Sequence, residues 1–130
     1  RMAMIPTLKM FAGTVTSRSE YLEPIYDIVH QFHDLGGQLL FGTDVGFISD
    51  YTTEDEFRAL VRSGMDARGI LRSLTTAPAQ KFGGGSTAAN LALGEPADLT
   101  VLDGDPLEDV AAFSRVRATV RAGRVIYLRS

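Results

Sequence analysis

Cysteine is absent from the 130 residues. That excludes disulfides, thiolate metal sites and cysteine nucleophiles together, and it fits a reducing, cytoplasmic compartment. Long apolar runs are also missing, so no membrane span is expected and no membrane partner follows. The amino-terminal residues, Arg1-Met2, open no basic-then-apolar signal segment; an arginine in first place is expected of a piece of a longer chain or of a cloning scar. Basic residues are scattered and the net charge is −3, so no stripe exists to meet a phosphate backbone, and nucleic acid is excluded as a partner. What remains is the composition of a soluble globular domain, 45% apolar and 22% charged.

Positions 3–11 are mostly apolar, with Thr7 and Lys9 among them, a length that suits a short buried strand with Pro6 near its end. Residues 13–20 are small and polar and read as a loop. Leu22, Ile25, Tyr26, Val29 and Phe32 recur at spacings of three and four, which predicts a helix with His33 at the edge of its apolar face. Its start is marked twice, by a capping box over Ser17-Arg18-Ser19-Glu20 and by Pro24 in a first turn; Gly36-Gly37 is the stop. Gln38-Leu39-Leu40-Phe41 reads as a second buried strand, cut off at Gly42-Thr43-Asp44-Val45-Gly46.

Thr53 and Glu56 form the capping box of a second helix with Phe57, Leu60 and Val61 on its apolar face and Gly64 at its end. Asp66 can cap a third carrying Ile70, Leu71 and Leu74, and Thr76-Ala77-Pro78 can begin a fourth that ends at Gly83. Beyond Gly83-Gly84-Gly85-Ser86 the pattern turns to strands: residues 97–102 alternate, Asp103-Gly104-Asp105-Pro106 is turn chemistry, and residues 118–121 and 124–127 flank Ala122-Gly123 as a hairpin. The order strand, helix, strand, helices is that of βα units in a parallel sheet, with a boundary at 83/84 between an α/β part (1–83) and a β-rich part (84–130).

Asp44 is the candidate site residue. In parallel α/β folds the loops after the strands converge on one crevice, and an acid there can bind a metal ion or accept a proton. A turn or cap aspartate is the alternative. His30 and His33 lie three apart on one helix but lack an accompanying carboxylate motif, so surface, core-edge or interface histidines are expected. The triple glycine lacks the lysine of a phosphate cradle, and Asp103 and Asp105 lack EF-hand spacing, so a linker and turn formers are expected. Thr43, Ser49 and Thr75 have no histidine–acid system to activate them.

The segments Gly42-Thr43-Asp44-Val45-Gly46, Leu60-Val61-Arg62-Ser63-Gly64-Met65 and Ile70-Leu71-Arg72-Ser73-Leu74-Thr75-Thr76-Ala77-Pro78-Ala79 resemble the last barrel segment of the amidohydrolase superfamily, in the branch of imidazolonepropionases and prolidase-like enzymes. Gly94-Glu95-Pro96-Ala97-Asp98-Leu99-Thr100-Val101-Leu102-Asp103, Asp105-Pro106-Leu107 and Val120-Arg121-Ala122-Gly123-Arg124-Val125-Ile126 are similar to that family's return into a small β-domain. Pro6-Thr7-Leu8 is similar to the preceding barrel strand. The resemblance implies the last two βα units of a TIM-type (β/α)8 barrel plus the C-terminal β segment of a small β-sandwich domain, an incomplete fold, since a whole barrel takes about 250 residues.

It further implies hydrolysis of an amide, cyclic amide or dipeptide C–N bond in a small molecule. The expected cofactor is one or two divalent metals, usually zinc, with Asp44 as metal ligand and proton shuttle. The sequence departs from the family pattern in a longer stretch at 86–93 and in lacking counterparts of the family's other metal-binding histidines and lysine. One aspartate cannot hold zinc, which takes about four ligands. The isolated chain is therefore expected to bind no metal, to be inactive, and to associate with itself or with a missing N-terminal part through open strand edges. A non-catalytic assembly module that has kept the end of the barrel is the rival reading.

Overall fold

The computed structural model describes residues 2–15, 18–83 and 89–130. Two short strands, β1 (Ala3–Met4) and β2 (Gln38–Leu39), run parallel, with Ala3 opposite Gln38 and Met4 opposite Leu39. The pairing continues past β2, since Leu40 N donates to Met4 O at 2.9 Å. Between the strands lie α1 (Leu8–Thr14) and α2 (Leu22–Asp34), and after them α3 (Glu54–Arg62), α4 (Ala67–Leu74) and α5 (Thr76–Phe82). An antiparallel sheet follows, with β3 (Leu99–Leu102), β4 (Val116–Arg121) and β5 (Arg124–Leu128) side by side in that order. No helix among the described residues is long and apolar enough to cross a membrane.

Of the strand expected over 3–11, Ala3–Met4 is strand and residues 8–11 open helix α1. Pro6 has no N–H to continue a ladder, and Thr7 turns the chain through the left-handed region at φ 48°. A nine-residue apolar stretch is equally compatible with either structure, and here a tertiary contact to the first amides of α1 decides it.

Helix α2 follows its spacing: Tyr26 and Val29 are buried, while Leu22, Ile25 and Phe32 pack partly against the core. Pro24 sits in its first turn, as expected, whereas the Ser17 of the predicted capping box lies outside the described residues. The core is completed by Leu8, Leu39, Phe57, Leu60, Met65, Ile70 and Phe113. Phe57 stacks on Phe41 with ring centres 4.6 Å apart and meets Phe113 at 5.3 Å. Phe113 lies in a 3-10 turn, Val110–Ser114, so the segment leading into β4 shares the core of the helical part.

Asp66 caps α4 as predicted, accepting from Gly69 N at 2.7 Å. Val61 and Leu71, placed by spacing on apolar faces, are half exposed, because α3 and α4 each bury a narrower stripe centred on Leu60 and Ile70. The α3–α4 connection needs Gly64: its φ is +86°, and a Cβ there would lie 2.2 Å from His30 Nδ1. The Gly83-Gly84-Gly85-Ser86 run falls mostly on residues 84–88, outside the described ones. The predicted hairpin is present, with Ala122 and Gly123 at φ 48° and 75° in its turn. Asp105 forms the expected turn by accepting from Leu107 N at 2.8 Å, and Asp103 pairs with Arg117 and Arg129.

Candidate active site

Parallel pairing sends the connections after β1 and β2 out of the same end of the sheet. The first is Ile5-Pro6-Thr7, leading into α1; the second is the longer loop over residues 40–53, leading into α3. They touch at Gly42, where a Cβ would lie 2.5 Å from Ile5 Cγ2. No other side chain fits so close to Ile5, so the glycine lets the two connections converge.

Asp44 lies two residues beyond this contact. It is exposed and holds φ 56°, and its backbone carbonyl accepts from Phe47 N at 3.1 Å and Ile48 N at 3.3 Å. Its carboxylate makes no hydrogen bond or ion pair with the described residues, in contrast to the cap-forming Asp66 and Asp109. Among the described non-glycine residues only Thr7, Asp44 and Ala122 have positive φ. Two of the three stand at the same end of the parallel strands. Left-handed backbone at a non-glycine costs about 1 kcal/mol or more and gathers where a particular side-chain placement is held.

Under this end lie two buried titratable side chains, Glu56 and Lys9. Glu56, fully buried, accepts from Leu8 N at 3.1 Å and Lys9 N at 2.6 Å. The predicted capping box at Thr53 and Glu56 is therefore not formed: Glu56 reaches across to the start of α1, and Thr53 Oγ1 donates to Ser114 Oγ at 3.1 Å. Burial raises the Glu56 carboxyl above its ordinary value, against the lowering effect of the two amides and of Lys9. Lys9 is buried as well, and its Nζ meets Thr52 O at 2.5 Å, Thr52 Oγ1 at 2.8 Å and Asp50 Oδ2 at 2.8 Å. That hydrogen bond from Lys9, helped by Thr52, lowers the Asp50 carboxyl to about 2.

Sequence reasoning gave Glu56 only a capping role and passed over Lys9. For Glu56 a signal existed: it precedes Leu60 by four and Ser63 by seven, and all three are fully buried on one stripe of α3. For Lys9 there was none, because its partners are more than forty residues away.

The histidines take no part in this end of the molecule. His30 Nδ1 lies 3.3 Å from Ser63 O and its Nε2 lies 3.3 Å from Asp34, so it fastens α2 to the turn after α3. His33 lines a cleft of about 470 Å³ with Gln38, Arg72 and Lys81, beside the start of β2. Among the described residues no group of three or more His, Asp or Glu could hold a metal ion, so Asp44 stands as a single oxygen donor.

The sequence pattern of the amidohydrolase family matches residues 1–126. Among solved structures the chain is similar to a Xaa-Pro dipeptidase with methionine in its active site, at 25% identity and a TM-score of 0.79, covering 98% of this chain and 34% of that one. It is also similar to a presumptive prolidase from Bifidobacterium longum, at 26% identity and 0.77, covering 96% and 35%. A third is a 5-methylcytosine deaminase from Klebsiella pneumoniae liganded with phosphonocytosine, at 25% identity and 0.62, covering 78% and 27%. The chain spans about a third of the length of the first two. Curated proteins give no match.

Proposed function

The chain belongs to the amidohydrolase family, and from that membership we propose that it is the C-terminal part of a metal-dependent hydrolase that cleaves a C–N bond in a small molecule. The observation that carries this reading is Asp44: an exposed carboxylate in left-handed backbone, without a partner among the described residues, at the end of the parallel strands where two connections converge. An acid that served only the loop would be hydrogen-bonded to it, as Asp66 is.

In this reading β1 and β2 are the last two strands of a (β/α)8 barrel over residues 1–83, and β3 to β5 belong to a small β-sandwich over residues 84–130. The exposed apolar residues of β5, Val125, Ile126 and Leu128, each more than 60% exposed, favour a partner layer supplied by the rest of the polypeptide. The same holds for β2, whose one edge pairs with β1. Association with that missing part is accordingly proposed, with a second copy of the chain as substitute when it is absent.

The donor chemistry of Asp44 fits one position of a zinc or similar divalent site, the remaining ligands coming from outside this chain. When bound, such an ion lowers the pKa of a water and polarises a scissile carbonyl. Asp44 contributes the proton handling: an Oδ atom accepts the proton of the attacking water and delivers it to the leaving nitrogen. The isolated chain, with one donor, is inactive in this account. The lack of cysteine fits a cytoplasmic setting. Xaa-Pro dipeptides, the named substrate class of a structural neighbour, are the first substrates to try, followed by cyclic amides and N-acyl amino acids.

The test uses the full-length protein. Asp44→Asn keeps size and polarity and removes the base, and turnover is expected to fall about 10²- to 10⁴-fold with the fold unchanged by circular dichroism. Normal turnover in that variant refutes the assignment.

A further inference from the structure

Among the described residues, the anchors next to Asp44 on either side come from one five-residue segment, 5–9; the far ends of the loop are held elsewhere, Phe41 N donating to Ser73 O at 3.3 Å and Thr53 Oγ1 to Ser114 Oγ at 3.1 Å. Upstream of Asp44, Gly42 rests on Ile5. Downstream, the Lys9 ammonium directs its donors at Asp50 Oδ2, Thr52 O and Thr52 Oγ1. Between these anchors, among the described residues, the hydrogen bonds are those of the loop's own turn, with Phe47 N and Ile48 N donating to Asp44 O and Gly46 N to Ile48 O. The segment 5–9 is itself held by Glu56, which binds the amides of Leu8 and Lys9 immediately after the left-handed Thr7.

A buried carboxylate and a buried ammonium are a poor means of gaining stability. The two form no ion pair with each other: Glu56 binds backbone amides and the Lys9 ammonium binds Asp50 and Thr52, so desolvation offsets most of what their separate hydrogen bonds return, and apolar residues of the same volume often serve the core as well or better. What such a pair supplies is geometry, because its hydrogen bonds have direction and packing contacts do not. Glu56 sets the start of α1, and Lys9 measures from there to Asp50 and Thr52.

We propose that Glu56 and Lys9 are positioning residues that hold the Asp44 loop at a fixed distance from the end of β1. This rests on Asp44 being the functional acid. It also assigns a use to two charged groups, from α1 and α3, that the proposed chemistry does not touch. The other charged group facing Lys9 is Asp50, whose exposed carboxylate closes the clamp from the loop side.

Two measurements separate this from a purely structural role. In hydrogen exchange, Lys9→Met is expected to accelerate the amides over residues 44–52 about tenfold or more while those of α2 and α4 keep their wild-type rates; Glu56→Gln is expected to expose Leu8 and Lys9 first. In steady-state kinetics of the full-length protein, Lys9→Met is expected to lower kcat about 10- to 100-fold with KM within about threefold, since a displacement near 1 Å at the reacting group costs that much. Lys9→Arg, which keeps the charge, is expected to restore part of the loss. Should Lys9→Met fail to fold, Asp50→Asn removes the clamp from its exposed side and is expected to give a smaller change of the same sense.

Exchange over 44–52 unchanged in both Lys9→Met and Asp50→Asn overturns the clamp whatever the fate of Asp44. Faster exchange with kcat untouched overturns the positioning role and leaves the Asp44 assignment standing. Normal turnover of Asp44→Asn overturns that assignment and the catalytic half of this proposal with it.

Discussion

Replacing Asp44 by glycine should remove the function without weakening the fold, and the expected size of the effect follows from three terms. The carboxylate has no hydrogen bond or ion pair with the described residues, and the side chain is exposed, so truncation forfeits little contact. The backbone at φ 56° is left-handed, which costs a residue with a Cβ about 1–2 kcal/mol, with aspartate at the low end. Glycine relieves that cost but loses about 0.4–1 kcal/mol more conformational entropy on folding. The balance for Asp44→Gly lies between about zero and 1 kcal/mol of added stability.

Asp44→Ala keeps the Cβ and discards the tolerance of aspartate for this region, so it should lie about 1 kcal/mol below the glycine variant. Urea denaturation followed by circular dichroism measures both. Their midpoints should separate in that order, and under the proposed function the full-length protein carrying either change should lose hydrolysis. If Asp44→Gly instead loses more than about 1 kcal/mol, the carboxylate is an N-cap or turn acceptor, whose removal costs about that much, and the functional argument from its lack of partners fails.

Gly64→Ala should destabilise by about 2–3 kcal/mol, combining strain at φ +86° with a Cβ 2.2 Å from His30 Nδ1. Adding His30→Ala should recover the clash and leave the strain, so a double variant no better than the single one contradicts this account of the turn. The two perturbed carboxyls act on pH dependence with opposite sign. Glu56 is raised above 4.5 by burial, so the folded state holds its proton more tightly and stability falls as pH rises from 4.5 through the folded value; Glu56→Gln should abolish that falling limb in urea midpoints taken from pH 4 upward. Asp50 is lowered to about 2 by the Lys9 hydrogen bond, so its contribution is complete above its ordinary value of 3.8 and disappears as pH falls toward 2; Asp50→Asn should flatten that acid limb.

Residue order alone determined a good deal. The three- and four-residue spacing from Leu22 to Phe32, the cap at Asp66, the turn at Asp105 and the hairpin at Ala122-Gly123 are set by interactions within a few residues, and each is where local chemistry puts it. Asp44 is proposed as the site residue from the same kind of evidence: an acid between glycines at the end of an apolar run is a local pattern. Tertiary structure decided the rest. It turned the second half of an apolar stretch into α1, because Glu56, more than forty residues on, takes the first two amides of that helix. It drew Thr53 and Glu56 away from each other to distant partners, and it buried Lys9 against a loop that no spacing connects to it. Burial is a property of what lies across the core, so a charged side chain's partner, unlike its helix, is settled only when the chain has closed around it.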